Sequence, residues 1–242
     1  METAVRVTNL KKVYDKVVAV DDISFDIYPG ETVGFVGPNG AGKTTTIHML
    51  LGLLSPTAGE IEILGKKFNS AREYILGHIN FVGAQVFLPG NLTVQQNLTI
   101  FSMLYGQKPS KKKIGELLVR FHLEKFVKQK TGKLSSGESA RLNLAKAFIN
   151  DPKILLLDEP TASLDPSVAA EVRKIIKKQQ EALGTAIMWT SHNMREIEAV
   201  CDRVIFIHHG KILANGTPAD LRTQFGTQDM EEIFINLAAK GI

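Results

Sequence analysis

The segment from Gly37 to Thr44, GPNGAGKT, is the feature that most restricts what this chain can fold into. It matches the pattern G-x-x-x-x-G-K-[ST], and it stands between an apolar run, Thr32 to Val36, and a helix predicted from about Lys43 through Leu51. A strand, a glycine-rich turn and a helix in that order form one unit of an α/β fold. The sequence therefore predicts such a unit near the N-terminus.

This glycine-rich turn, called the phosphate loop below, has the chemistry of an anion site. Glycines let successive backbone N–H groups point at phosphate oxygens, and the following helix adds its N-terminal partial positive charge. Lys43 supplies a charge for the β and γ phosphates, and the Thr44 hydroxyl can ligate Mg²⁺. The alternative is a turn without a ligand, in which a lysine would have no packing purpose. The predicted nucleotide-binding residues are Gly37, Asn39, Gly40, Ala41, Gly42, Lys43, Thr44 and Thr45.

Two adjacent carboxylates end a second apolar strand, ILLLDE, from Ile154 to Glu159. Ligands of parallel sheets bind at the carboxyl ends of the strands, which places Asp158 beside the phosphate loop. Asp158 is predicted to hold Mg²⁺, and Glu159 to orient and deprotonate the attacking water. A helix-capping or solvated acidic pair is the alternative interpretation.

The remaining pattern predicts an α/β fold of the P-loop NTPase type with a mostly parallel core sheet. Short apolar strands, KILLLD, TAIMWT and RVIFIH, alternate with helices in the C-terminal half. AVRVTNL and ISFDIY alternate as half-buried strands do, which predicts an N-terminal antiparallel β subdomain. Helical periodicity between them predicts an inserted helical subdomain at about 86–150, and a short helical tail is expected at about 217–242.

Composition excludes several classes of protein. The 242 residues carry a net charge of +4, which is too small an excess for a dedicated nucleic-acid binder. Cys201 is the single cysteine, so neither an intrachain disulfide nor a cysteine-based metal site is expected. No apolar run approaches the roughly 18–20 residues that span a bilayer. We therefore expect a cytoplasmic protein, peripheral on the cytoplasmic face of the cell membrane if a partner holds it there.

A third segment, LSSGE from Leu134 to Glu138, precedes another helix. Ser135 and Glu138 make an S-x-x-E capping box, so a well-capped helix is the plainer interpretation. The order of the motifs argues for more. LSSGE lies just upstream of the Asp-Glu strand, and Ser163-Leu164-Asp165 and His192 lie just downstream of it.

Over essentially its whole length the chain resembles the ABC ATPase family. LSSGE is similar to the family's LSGGQ signature, SLD to its D-loop, and His192 in WTSHN to its switch histidine. Gln85 stands where the family places the Q-loop glutamine, and Tyr14 where an aromatic ring stacks on adenine. Each match is short, but together they follow the order of the family.

The resemblance implies a head-to-tail dimer, of two copies or of this chain with a paralogous ATPase subunit, with ATP between one phosphate loop and the opposite signature. Ser135 and the Gly137 N–H would contact the γ-phosphate from across the interface, and Asp165 would reach across it. His192 would hold the γ-phosphate and the water. Gln85 would ligate Mg²⁺, act in catalysis and link the nucleotide to the helical lobe that meets a membrane permease. For Tyr14 the alternative is a surface or packing residue.

Two residues depart from the family pattern. Ser136 replaces the first signature glycine, and Glu138 replaces the usual glutamine. A positive φ at Ser136 would cost roughly 1 to 2 kcal/mol, whereas a negative φ would make the change neutral. Glu138 would repel the γ-phosphate unless it turns into the capping box, which is the arrangement we expect.

The function that follows is an ATP-binding and ATP-hydrolysing subunit, with ATP and Mg²⁺ as cofactors, that energises transport through a separate membrane protein. The rival is a soluble ABC ATPase acting on nucleic acid or the ribosome, but such proteins carry a coiled-coil insertion or two ATPase units, and no nucleic-acid partner is expected. A P-loop kinase or switch GTPase would leave the signature, SLD and His192 unexplained. The ending DMEEIFINLAAK resembles the C-terminal helix of ABC-2 exporter-like subunits, although it could equally pack against the domain, and import stays open.

Overall fold

The computed structural model describes residues 2–83, 88–162 and 164–240. Within them the strands form two sheets, one central and one at its side. The strands are β1 (Val5–Tyr14), β2 (Val17–Ile27), β3 (Thr32–Val36), β4 (Ala58–Ile63), β5 (Lys66–Lys67), β6 (Ile79–Gly83), β7 (Ile154–Asp158), β8 (Ala186–Thr190), β9 (Arg203–His208) and β10 (Lys211–Gly216).

Helices connect the strands and cover the central sheet. They are α1 (Lys43–Leu50), α2 (Phe68–Leu76), α3 (Val94–Leu104), α4 (Lys111–Arg120), α5 (Ser136–Ala147), α6 (Pro166–Leu183), α7 (Met194–Val200), α8 (Pro218–Phe225) and α9 (Met230–Lys240). Short 3-10 turns at Glu124–Phe126 and Thr131–Lys133 lead from α4 towards α5. None of the described helices is long and apolar enough to cross a membrane.

The central sheet has the strand order β10-β9-β3-β8-β7-β6. The pairs from β9 to β6 are parallel, and only β10 joins antiparallel, at one edge. Every residue of β3 and β8 is buried, as expected for strands with helices on both faces. The predicted mostly parallel core sheet is therefore confirmed.

The side sheet is antiparallel, with the order β2-β1-β4-β5. A two-residue turn at Asp15 and Lys16 joins β1 to β2, and Asp15 adopts the left-handed conformation with φ of 49°. The predicted antiparallel layer is confirmed. The strands β4 and β5 extend it beyond the two predicted segments.

The helical segment between β6 and β7 packs through its own apolar side chains. Residues from α3, α4 and α5, together with Phe121 and Phe148, share one core cluster with the central sheet. The rings of Phe121 and Phe148 stack with their centroids 5.8 Å apart. The boundaries of the predicted helical subdomain, about 86–150, and of the tail, about 217–242, stay predictions.

The last helix, α9, packs against the domain. Met230, Ile233 and Leu237 are buried in the same core cluster as α7, and the ring of Phe234 lies 6.0 Å from that of Phe206. The apolar face of this helix is therefore used for internal packing.

Strand order brings three loops together. β8 lies between β3 and β7, and all three run in the same direction, so their carboxyl ends meet at one edge. The phosphate loop follows β3, Asp158 ends β7, and His192 follows β8. Ligand sites of parallel sheets occur at such an edge.

Candidate functional site

The phosphate loop has glycine at the two positions where its backbone passes closest to neighbouring strands. Gly42, the N-cap of α1, has φ of 108°, and a Cβ there would lie 2.5 Å from the carbonyl oxygen of Ala19. A Cβ on Gly37 would collide with the carbonyl oxygen of Ile207. The glycines therefore allow the loop to curl tightly against β2 and β9, with the N-terminus of α1 at its end.

Lys43 is buried at the base of this loop. Its Nζ donates hydrogen bonds to the carbonyl oxygens of Gly37, at 2.5 Å, and Pro38, at 3.1 Å. Burial lowers the pKa of Lys43, while the nearby charges of Glu159 and Asp158 act in the opposite direction. The ammonium group is thus held between the loop and the two carboxylates.

Asp158 is fixed by a side chain of the neighbouring strand. Thr190, buried at the end of β8, donates from Oγ1 to Oδ1 of Asp158 at 2.6 Å. Thr190 engages one of the two carboxylate oxygens, and the exposed Thr44 lines the same pocket as Asp158. A hydroxyl, a carboxylate and substrate phosphates form the oxygen-rich set that Mg²⁺ takes, so these residues fit that ion.

Glu159 has an unusual backbone, because its φ of 53° lies in the left-handed region. Its N–H donates to the carbonyl oxygen of Thr190 at 3.2 Å and to Oγ1 of Thr190 at 3.1 Å. Its carboxylate oxygens lie 2.8 and 3.0 Å from Nδ1 of His192. An ionised carboxylate only accepts hydrogen bonds, so Nδ1 carries a proton in this contact. The His192 side chain is 71% exposed, which leaves the rest of its ring open to a ligand.

The phosphate loop and the two carboxylates, Asp158 and Glu159, line a pocket of about 310 Å³. Ala19 of β2 closes one side of it. The sequence-predicted residues that line the pocket are Asn39, Gly40, Ala41, Gly42, Lys43, Thr44, Thr45, Asp158 and Glu159. The structure therefore brings the phosphate loop and both carboxylates to one place.

The signature segment begins α5. Ser135 is its N-cap: the Ser135 hydroxyl accepts the Glu138 N–H at 3.3 Å, and the Glu138 carboxylate accepts the Ser135 N–H at 2.8 Å. The expected capping box is confirmed. Ser136 is the first residue of the helix and has negative φ, so the strain considered for a side chain there does not arise.

Three predicted site residues lie apart from the pocket in a single chain. Ser135, Gly137 and Asp165 are not among the described residues that line it. Gly137 packs against Val168, and a Cβ on Gly137 would lie 2.9 Å from Cγ1 of that valine. Asp165 is the exposed N-cap of α6, one turn before Val168. The signature segment and the start of α6 therefore form one surface, separate from the phosphate loop.

Two other predicted site residues belong to different parts of the molecule. Tyr14 ends β1 opposite Val17, at the hairpin that leads into the strand containing Ala19. Its ring is 44% exposed, and Nζ of Lys12 lies 5.2 Å from the ring centroid. Gln85 lies outside the described residues, so its predicted roles stay predictions.

The sequence interpretation missed four polar residues near the site, Thr190, Thr161, Ser191 and Glu196. Thr190 binds the Asp158 carboxylate and the Glu159 backbone N–H, and Thr161 and Ser191 bind the buried Glu196. The polar end of the strand TAIMWT was a possible signal for Thr190. Glu196 gave no signal, because a glutamate in a helix ordinarily faces solvent.

Comparison with known families accounts for this combination of loop, carboxylates and signature. The family model described as "ABC transporter" matches residues 20–162. The chain belongs to the ABC transporter family. The match includes the phosphate loop, the signature segment and both carboxylates, whereas Tyr14, Asp165 and His192 lie outside it.

Solved structures of ABC ATP-binding subunits have the same fold. One, described as the ATP-binding subunit of an ABC transporter, is 29% identical with a TM-score of 0.88, over 97% of this chain and 99% of that one. Another is cbiO1 from Clostridium perfringens, part of the ABC transporter complex cbiONQ. It is 27% identical with a TM-score of 0.82, over 93% of this chain and 92% of that one.

Curated ABC relatives cover nearly all of this chain. A probable multidrug ABC transporter ATP-binding protein of Escherichia coli (strain K12) is 37% identical over 98% of this chain, which spans 42% of that relative's length. The bacitracin transport ATP-binding protein of Bacillus licheniformis is 41% identical over 88% of this chain and 69% of its own length. A Nod factor export ATP-binding protein of Paraburkholderia xenovorans (strain LB400) is 36% identical over 96% of this chain and 77% of its own length.

Proposed function

We propose that this chain binds MgATP in the pocket of about 310 Å³ and hydrolyses it to drive an ABC transporter. The observation that carries the proposal is the convergence of Lys43 and Thr44 with Asp158 and the Glu159–His192 pair. A phosphate-binding loop, a candidate metal carboxylate and a candidate base coupled to a histidine are the parts that ATP hydrolysis requires.

Each of these residues has a distinct role in the proposed reaction. Lys43 exchanges its bonds to the loop carbonyls for bonds to the β and γ phosphates. Thr44 and Asp158 would hold Mg²⁺, which would neutralise phosphate charge. Water attacks the γ-phosphorus, the bond to the β–γ bridging oxygen breaks, and ADP leaves with the electron pair. Glu159 accepts the proton of the water, and His192 orients Glu159 and contacts the γ-phosphate. Tyr14 stacks on adenine at the hairpin beside Ala19.

A second ATPase subunit completes the site. Ser135 and Gly137 stand at the N-terminus of α5, an anion-binding position, yet they lie away from the pocket of their own chain. In a head-to-tail dimer they would meet the γ-phosphate bound by the opposite subunit, and Asp165 would cross the same interface. The contact of Gly137 with Val168, three residues after Asp165, supports this arrangement, because it joins the signature segment to the start of α6.

The partner that uses the energy is an integral membrane permease, and the direction of transport is export. The relative named for Nod factor export supports this direction. The chain would then bind the permease on the cytoplasmic face of the membrane. Its substrate is determined by the permease, since the pocket described above is used for the nucleotide.

The first experiment measures MgATP hydrolysis by the purified chain at several protein concentrations, with Glu159→Gln in parallel. Activity that rises more than linearly with concentration indicates a dimeric site. Glu159→Gln should retain ATP binding but slow turnover by at least about a hundredfold, because the proton acceptor is lost. Linear activity that is indifferent to Glu159 would overturn both the dimer and the base.

A second experiment addresses the partner. The tagged chain is isolated from detergent-solubilised membranes of its native cell, and the co-purifying proteins are identified. A stoichiometric multispanning membrane protein supports the transport function. Ribosomes or nucleic acid in its place would favour the rival class of soluble ABC ATPases.

A further inference from the structure

Glu196 is a charged residue in the interior of the molecule to which the proposed chemistry gives no role. It lies in the first turn of α7, four residues after His192, and only 6% of the residue is exposed. Its N–H donates to the side chain of the N-cap, Asn193, at 3.3 Å. An ionised carboxylate at such a depth is retained only where several donors satisfy it.

Three side chains from three different segments bind this carboxylate. Oε1 accepts hydrogen bonds from Oγ1 of Thr161 and, at 3.2 Å, from Nη1 of Arg173, while Oε2 accepts one from Oγ of Ser191 at 2.8 Å. Thr161 and Ser191 are themselves buried. Both oxygens of Glu196 therefore have a hydroxyl donor, and Oε1 also has the charged guanidinium of Arg173.

The positions of the three donors along the chain make this arrangement informative. Thr161 is two residues beyond Glu159, and its carbonyl oxygen accepts the N–H of Leu164 in the turn that leads to Asp165. Ser191 immediately precedes His192. Arg173 lies on α6, the helix whose N-cap is Asp165. One carboxylate therefore ties the segment carrying the histidine to the turn and the helix on either side of Asp165.

Stability alone does not account for the choice of residue. A buried ion pair is frequently no more stabilising than apolar side chains of the same volume, because both charges lose their hydration. The carboxylate does fix the positions of the side chains that bind it, since charge-assisted hydrogen bonds are short and directional. Loops held by such bonds have less freedom to move independently.

We propose that Glu196 is a positioning residue for ATP hydrolysis, which holds the His192 segment and the Asp165 turn in a fixed relationship. The inference rests on the proposed function. Within one chain, His192 contacts Glu159, and Asp165 belongs to the surface that meets the second subunit. Glu196 thereby links the reacting site of its own chain to the interface with the opposite one.

The test compares Glu196→Gln with Glu198→Gln in ATP hydrolysis, at a temperature where both variants are folded. Glu198 is on the same helix and pairs with Arg222 at 2.6 Å instead of with the three donors of Glu196, so it is a matched control. We expect Glu196→Gln to lower kcat about tenfold with KM for MgATP changed less than about twofold. Glu198→Gln should leave both unchanged. A lowered Tm with unchanged kcat in Glu196→Gln would mean a purely structural role and would overturn the inference.

Two milder variants keep the test decisive if Glu196→Gln does not fold. Ser191→Ala removes the bond to the histidine segment, and Thr161→Val removes the bond to the Asp165 turn. Each should lower kcat without a matching change in KM, and each should have little further effect when Glu196 is already glutamine. Full kcat in both single variants would overturn the inference. If the wild-type chain does not hydrolyse ATP, the proposed function itself is overturned. If the wild-type chain is active and these variants are equally active, only the proposed role of Glu196 is overturned.

Discussion

Thr190 Oγ1 donates a hydrogen bond of 2.6 Å to Oδ1 of Asp158, across the pairing of β8 with β7. Oγ1 of Thr190 also accepts a hydrogen bond from the N–H of Glu159, at 3.1 Å. One buried hydroxyl therefore orients the candidate magnesium ligand and fixes the backbone of the candidate base. Because Thr190 is fully buried, loss of its hydroxyl would leave buried polar groups without a partner from water, which costs free energy.

Replacing Thr190 with Val should weaken catalysis, because the Asp158 carboxylate loses a donor and the Glu159 N–H loses one of its two acceptors. Valine has nearly the same shape but no hydroxyl, so the Asp158 oxygen loses a donor and the stability of the fold should fall by about 1–3 kcal/mol. We expect kcat to fall and the Mg²⁺ concentration for half-maximal ATPase activity to rise. Thr190→Ser retains the hydroxyl and should stay near wild type. An unchanged Mg²⁺ requirement in Thr190→Val would show that Asp158 needs no such support.

Glu138→Gln should raise the rate of ATP hydrolysis. The Glu138 carboxylate accepts the Ser135 N–H at 2.8 Å, and a glutamine oxygen can accept the same bond, so the capping box should persist. The carboxylate is turned into the capping box, but its negative charge still lies at the N-terminus of α5, the helix end proposed to meet the γ-phosphate of the opposite subunit. The substitution removes that charge. We expect a severalfold increase in kcat with an unchanged Tm. Glu138→Ala, which loses the box, should instead cost about 1 kcal/mol of stability. A slower Glu138→Gln enzyme would contradict this prediction.

Nucleotide affinity should decline at alkaline pH because of Lys43. Burial lowers its pKa from the ordinary 10.5, so the free protein begins to lose this positive charge below that pH. Bound triphosphate favours the protonated lysine, and affinity must therefore fall as pH rises through the pKa of the free protein. MgATP titrations between about pH 8 and pH 10 measure this decline. Lys43→Met should bind MgATP weakly, and its affinity should depend little on pH. An equal dependence of affinity on pH in both proteins would show that Lys43 is not its cause.

Lys146 should make stability depend on pH in the same alkaline range. It is buried in α5, its Nζ lies 5.4 Å from the centroid of the Phe101 ring, and burial lowers its pKa from 10.5. Between the two pKa values the unfolded chain holds a proton that the folded chain has released, so stability rises with pH there. Below that interval the folded state bears the full cost of the buried charge.

Lys146→Met should therefore be more stable than wild type at pH 7.5, by on the order of 1 kcal/mol, because methionine fills the space without a charge. The difference should shrink as pH rises towards 10.5. Urea unfolding at several pH values measures it, and the exposed Lys112→Met serves as the control. A constant difference across the pH range would show that the charge of Lys146 is not its cause.

Local patterns predicted much of the fold because they depend on neighbours in the sequence. The strands TVGFV, INFVG, ILLLD, AIMWT and RVIFIH are apolar throughout or nearly so, and all form the central sheet. The S-x-x-E pattern likewise specified the cap of α5, since both of its bonds join residues three positions apart. The family resemblance on these motifs was confirmed by the match over residues 20–162.

Other features depended on residues that are distant in the sequence. The segment AGEIEI has no pattern that clearly predicts a strand, and it forms β4 because it pairs with β1. The apolar face of the last helix is buried against α7 and the central sheet, whose residues lie far from it in the sequence.

The sequence by itself determined which groups carry the chemistry, because a phosphate loop, a strand ending in Asp158 and Glu159, and a capped signature helix are each specified by residues close together in the chain. Only the tertiary structure decided how they are held. Thr190 reaches Asp158 across 32 positions and Glu196 reaches Thr161 across 35, and no local pattern encodes either contact. Those contacts arise because parallel strand order places the ends of β7 and β8 side by side, and burial there requires each polar group to find a partner.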